Sequence, residues 1–227
     1  MNARYKLPGA RASLWVTGFA SVLLAVPSWS QSTGMDAEVA AIQQSWAQAN
    51  YSLPNDQQKA AAFDALTKQA ADTAHRYPDR AEPLIWEGIV LSSYAGAKGG
   101  IGSLGIAKQA RARLLDAVKR DPQALQGSAY TSLGVLYHKV PGFPLGFGDD
   151  GKAREYLQKA LQLNPDGIDP NFFYGQYLYE TGDPENAVRV LEKALAAAPR
   201  PGRELADSGR RKEVTDLLQK ARAKAAD

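Results

Sequence analysis

The stretch Ala187-Val188-Arg189-Val190-Leu191-Glu192-Lys193-Ala194-Leu195-Ala196-Ala197-Ala198-Pro199 decides the fold, because its skeleton of alanine, leucine, alanine and proline occurs three times. The other copies are Ala110, Leu114, Ala117, Pro122 and Ala153, Leu157, Ala160, Pro165. Alanine and leucine spaced by four and three residues share one face of a helix, and small alanines let a neighbouring helix come close. Each proline closes its unit, since it cannot continue a helix.

Before each of these helices stands another, marked by a glycine in an apolar face: Ile85, Trp86, Gly88, Leu91; then Leu133, Gly134, Tyr137; then Tyr174, Gly175, Leu178. Mid-helix glycine costs about 1 kcal/mol relative to alanine, so a close helix crossing is expected at each. From Gly175 it is 12 residues to Ala187 and 24 to Pro199, with Gly182 and Asp183 at the turn. These offsets resemble the 34-residue helix-turn-helix unit of tetratricopeptide repeats. Glu87 departs from that pattern, standing where the repeat carries an apolar residue.

Working outward, Val39, Ile42, Trp46 and Ala49 define one amphipathic helix, and Phe63, Leu66, Ala70, Ala74 and Tyr77 define another that ends at Pro78. They read as a degenerate fourth pair. At the other end, residues 204–225 read as one helix with Leu205, Val214, Leu217, Leu218 and Ala221 apolar, the polar-backed cap that a solenoid needs. The fold class expected is all-α, a helical-repeat solenoid of about four helix pairs plus a capping helix. Its parts are a helix pair over 31–81, three repeats over 82–203 and the cap over 204–227.

The glycine-to-alanine step of 12 residues in the third unit becomes 22 from Gly88 to Ala110 and 19 from Gly134 to Ala153. Both insertions fall in the turn inside a repeat, where loops emerge on one edge of the stack and serve as binding apparatus. Gly100, Gly102 and Gly105 in the first formally match the dinucleotide fingerprint, but that fingerprint needs a strand to deliver the loop, and none is visible here. The second runs from Lys139 to Gly151 and carries Phe143 and Phe147 among prolines and glycines. Either they tuck under the solenoid as a plug, or they line a pocket for an apolar ligand or partner. Asp149 and Asp150 precede the next helix and read first as N-capping acids, with a calcium site as the sharper alternative.

The formal charge of +3 comes from Arg4, Lys6 and Arg11 in residues 1–30, which contain no acid; the remainder balances 24 basic against 24 acidic residues. No nucleic-acid footprint is left. The basic start, the apolar run over 14–26 and then Pro27, Ser28, Trp29 and Ser30 read as a signal peptide cleaved near Ser30. Thirteen residues span only about 20 Å as a helix, short of a hydrocarbon core of about 30 Å. With no cysteine, neither disulfides nor thiol chemistry nor lipid attachment at the cleavage site is available. A soluble periplasmic protein is the expectation.

The stretches Val140-Pro141-Gly142-Phe143-Pro144-Leu145-Gly146-Phe147-Gly148-Asp149 and Asn164-Pro165-Asp166-Gly167-Ile168-Asp169-Pro170-Asn171-Phe172-Phe173-Tyr174-Gly175 carry a further resemblance. With Pro199-Arg200-Pro201-Gly202-Arg203-Glu204 and the following Ala206-Asp207 and Arg210-Arg211, the chain resembles the TatT-like T-component family associated with TRAP transporters. The resemblance covers about residues 82–222. It implies an exported helical-repeat protein, able to oligomerise, that helps present small organic ligands to a solute receptor and its membrane transporter. Members of that family are often lipoproteins, and this chain has no cysteine to acylate.

Catalysis is not expected. His75 and His138 both close helices, where imidazoles commonly meet the last carbonyls, and no nucleophile is paired with either. No cofactor or metal site is predicted. Arg200, Arg203, Arg210 and Arg211 near Glu204, Asp207 and Glu213 read as salt bridges between linker and cap, or more sharply as a site for an anion or acidic partner. Two functions follow. One is a non-enzymatic scaffold that binds a protein partner such as a solute receptor; the other is a carrier of small apolar ligands. The candidate binding residues are Tyr137, His138, Phe143, Phe147, Asp149, Phe172, Tyr174 and Tyr177.

Overall fold

The computed structural model describes residues 34–100 and 102–226, so the signal-peptide reading of residues 1–30 lies outside the described residues. Nine α-helices occur among them: α1 (Gly34–Tyr51), α2 (Asp56–Arg76), α3 (Ala81–Lys98), α4 (Ser103–Arg120), α5 (Ala124–Lys139), α6 (Asp150–Leu163), α7 (Ile168–Glu180), α8 (Pro184–Ala196) and α9 (Glu204–Ala226). Consecutive helices pack as α1/α2, α3/α4, α5/α6 and α7/α8, with α9 against α8. The all-α solenoid read from the sequence is the observed architecture. No described helix is long and apolar enough to cross a membrane.

One contact builds the stack three times over. A Cβ on Gly88 would stand 2.5 Å from Leu114 Cγ, one on Gly134 would stand 2.5 Å from Leu157 Cγ, and one on Gly175 would stand 2.7 Å from Leu191 Cγ. Each leucine of the repeated skeleton therefore fills the notch left by the glycine of the preceding helix. The carbonyls of Ala110, Ala153 and Ala187 lie just behind, at 3.3, 3.1 and 3.6 Å from the same hypothetical atoms. All three leucines are buried, each worth about 1.5–3 kcal/mol on transfer from water. Helix starts are secured locally: Asn55, Asp149 and Asp183 accept from the backbone N–H groups of Gln58, Lys152 and Asn186 at 3.0, 3.0 and 3.2 Å.

Glu87, the departure from the repeat, is buried on α3 and accepts from Arg113 Nε of α4 at 2.9 Å. Burial raises its carboxyl above the ordinary value, and the Arg113 charge and hydrogen bond pull it back only in part.

The two insertions differ in kind. The extra residues after Gly88 mostly lengthen helices: α3 continues through Gly96 to Lys98 and α4 already contains Gly105. The glycine-rich stretch is therefore a short turn rather than an extended loop. The extra residues after Gly134 do form a loop between α5 and α6, tied by Gly146 N–H and Leu145 N–H to the Gly142 carbonyl, by Gly148 N–H to that of Pro141 and by Asp149 N–H to that of Tyr137.

The sequence also did not announce where α9 goes. Val214, Leu218 and Ala221 join the core shared by α3 to α8, as a cap should. Ala206 and Leu205, in its first turn, belong instead to a second core with Ile42, Trp46, Phe63, Trp86 and Val90 of the N-terminal helices. At Gly209 a Cβ would fall 2.3 Å from the Tyr51 ring of α1. The last helix thus packs on the first.

Candidate functional site

Helices α1, α3, α5, α7 and α9 line one cleft of about 850 Å³, together with the linkers that lead into α7 and α9. No residue of α2, α4, α6 or α8 lines it, so these form the outer layer. Because α9 meets α1, the first and last helices of the stack both wall the cleft, which stays open to solvent on one side. The volume falls in the range of small-molecule sites, and its walls include Trp46, Trp86, Phe172 and Phe173.

At the start of α5 the backbone turns left-handed for three residues, with φ of 47° at Leu125, 54° at Gln126 and 77° at Gly127. Glycine is required at the third, where a Cβ would stand 2.8 Å from Leu163 Cδ1. The first two lack that freedom and cost about 1–2 kcal/mol each. Both line the cleft, a common place for stored backbone strain.

An ion-pair network ties the seam together. Asp169 of α7 accepts from Arg200 Nη1 at 2.7 Å and Arg210 Nε at 2.8 Å. Arg200 also donates from Nε to Asp207 at 2.8 Å, and Arg210 donates from Nη1 to Glu213 at 2.6 Å. Glu213 accepts in turn from Tyr51 Oη of α1 at 3.2 Å. The Arg210 guanidinium also lies 4.5 Å from the ring centroids of both Phe172 and Phe173. Burial would raise the Asp169 carboxyl, but Arg210 and Arg200 outweigh it and hold the group down to about 2.

Of the four arginines singled out in the sequence, Arg200 and Arg210 belong to this network. Arg211 donates to the carbonyls of Leu195 and Ala197 at 2.6 and 2.5 Å, capping the end of α8. Arg203 differs: it makes no salt bridge among the described residues, and its buried Nε has no hydrogen-bond partner there. Its guanidinium carbon lies 5.2 Å from the Trp86 ring, and the buried Nε1 of Trp86 is likewise unpartnered.

The sequence-derived binding residues divide between two places. Phe172 lines the cleft. The others gather around α5, α6 and α7, away from it. Tyr137 is buried, edge-on to Phe147 at 5.5 Å and stacked on Tyr156 at 5.5 Å. Phe147 also lies under Arg111 at 4.3 Å. Tyr174 stacks on Tyr177 at 6.2 Å, and Tyr177 Oη donates to the Asp150 carbonyl at 3.3 Å. His138 bridges Asp150 at 2.8 Å and Glu180 at 2.7 Å, and Lys139 joins Glu180 at 2.5 Å. Burial would raise the Glu180 carboxyl, but the hydrogen bonds from Lys139 and His138 hold it below the ordinary value. Asp149 caps α6, the first of its two readings from the sequence. Phe147 packs inward, whereas Phe143 is 93% exposed and Leu145 is 73% exposed at the loop tip.

No group of three or more histidine, cysteine or acidic side chains able to hold a metal occurs among the described residues. In the sequence Trp46 and Trp86 stand only as helix-face residues, and Arg203 only as one of a charged cluster. The faint signal that separates them is the apolar character of inner-helix positions beside an arginine-rich linker.

Residues 145–208 match the tetratricopeptide repeat family. The crystal structure of a thermophilic TPR protein from Thermus thermophilus superposes with a TM-score of 0.54 at 20% sequence identity, covering 85% of this chain and 92% of that chain. Two crystal structures of MamA are more distant, with TM-scores of 0.42 and 0.41 at 21% and 20% identity. They cover 73% and 83% of this chain and 90% and 92% of theirs. No curated protein matches the chain in sequence. The helix-pair stack over the described residues therefore has the tetratricopeptide-repeat fold, with the family's own sequence pattern in residues 145–208.

Proposed function

We propose that this protein is a non-catalytic, exported carrier that holds a small, largely apolar ligand in the cleft between its inner helices. The observation that carries the reading is the packing of α9 on α1, which turns the open inner face of a repeat stack into a cleft of about 850 Å³ with aromatic walls. Such a cleft suits a small molecule better than a partner helix laid along the inner face. Organic extraction of the purified protein followed by mass spectrometry tests it. A stoichiometric small molecule is the expected result, lost in Phe172→Ala together with Trp86→Ala; a clean extract from freshly purified protein counts against it.

A second reading rests on the exposed loop tip. Phe143 and Leu145 give a protein partner an apolar handle outside the cleft. In the periplasm that partner would be the solute receptor of a TRAP-type transporter, with the carrier delivering its ligand there. Crosslinking in periplasmic extract, with and without Phe143→Ser and Leu145→Ser, tests this half: the receptor band should vanish in the double variant.

A further inference from the structure

The second repeat is longer than its neighbours at one more place. From the proline that closes one unit to the notch glycine of the next, the chain takes 10 residues from Pro78 to Gly88 and 10 from Pro165 to Gly175, but 12 from Pro122 to Gly134. The two extra residues fall where Leu125, Gln126 and Gly127 wind left-handed. Neither α3 nor α7 contains such a turn, and Leu125 and Gln126 are the only non-glycine residues with positive φ among the described residues.

Stability does not account for this turn. A side chain in the left-handed region crowds its Cβ against the following carbonyl, and Gln126 is exposed, so no burial offsets the strain there. What the insertion does is reach the cleft. Leu125, Gln126 and Ser128 all line it. Leu125 packs against both cores, and Ser128 Oγ donates to the Leu125 carbonyl at 2.6 Å, so the turn is held from two sides. The Gln126 amide has no hydrogen-bond partner among the described residues, which leaves two donors and an acceptor beside the cavity.

Resting on the carrier reading above, we infer that the two-residue insertion is a specificity element of the cleft. It holds the Gln126 amide against the ligand, where the amide reads a neutral hydrogen-bonding group on an otherwise apolar molecule. The strain is kept because the shorter, right-handed start of the neighbouring units has no residue to place there. An uncharged amide selects by hydrogen bonding alone, so it separates molecules of equal shape that differ in one donor or acceptor.

Fluorescence titration of the full chain with N-phenyl-1-naphthylamine, and its displacement by 1-benzylnaphthalene, which has a methylene in place of the N–H, tests the inference. The amine should bind about fivefold tighter than the hydrocarbon. Deleting Gln126 and Gly127 restores the 10-residue spacing; it should erase that preference without lowering Tm, while the hydrocarbon still binds. Gln126→Ala, which keeps the length, should also erase the preference and decides if the deletion does not fold. Gln126→Gly should raise Tm by about 2–4 °C, because glycine accepts the left-handed turn, and should erase the preference as well. A purely structural turn would move Tm and leave the preference alone. Equal binding of the two probes by the unaltered chain, or a preference that survives in Gln126→Ala, overturns the inference and leaves the carrier reading standing. A lowered Tm in Gln126→Gly overturns the inference that the turn is kept against stability. Binding of neither probe overturns the carrier reading and the inference with it.

Discussion

The repeat stack and the seam between α9 and α1 hold the same molecule together by opposite means. In the stack, a leucine side chain fills a glycine notch three times, between helices adjacent in the chain, with an alanine carbonyl behind it and no charged group among the nearest atoms. At the seam the contact is made once, between residues as far apart as Tyr51 and Glu213, and it combines a glycine against a ring with a partly buried network of three acids and two arginines. The stack by itself would extend as an open solenoid, each unit needing only its neighbours. The seam adds a wall to the cleft along the inner helices.

Breaking the seam should have the largest effect. Arg210→Ala removes a buried cation from Asp169, which keeps Arg200, and from Glu213, which keeps Tyr51, and should cost about 3 kcal/mol in urea unfolding, with loss of ligand capture. Gly134→Ala attacks the stack by forcing Leu157 to move, for about 1–3 kcal/mol. The same change at Gly88 should cost a similar amount, because the contact is the same; unequal costs would break the equivalence of the repeats. Acid distinguishes the two regions more gently. The Asp169 carboxyl is depressed from 3.8 to about 2, so its contribution of about 2 kcal/mol is present above pH 4 and lost as pH falls through about 2. In Asp169→Asn that portion of the acid sensitivity should disappear, while Gly134→Ala should retain it. Smallest of all, Phe143→Ser with Leu145→Ser should shift stability by no more than about 0.5 kcal/mol, since both side chains already stand in water.

The site was less legible than the fold, and particular residues show why. Aromatic residues in a loop rich in proline and glycine single out Phe143 and Phe147, yet one points to solvent and the other packs on Tyr137. Sequence spacing identifies an insertion without saying where its side chains turn. The cluster of Arg200, Arg203, Arg210 and Arg211 is visible as a cluster, but which members are paired depends on Asp169 and Asp207 arriving from different elements. The glycines after Gly88 suggest a loop; Gly96 and Gly105 are instead helical, because α3 and α4 pack along their length and override the weak local preference.

By itself the sequence determined the helices, their pairing and the capping role of Val214, Leu218 and Ala221. Those features rest on short-range periodic contacts that leave the same imprint at every repeat. Only the tertiary structure decided that α9 reaches α1, that the inner helices line a cleft, and that, among the described residues, Arg203 Nε and Trp86 Nε1 are buried without hydrogen-bond partners. A contact made once, between residues far apart in the chain, has no second copy to reveal its pattern, and whether a buried charge is satisfied depends on groups that only folding brings together.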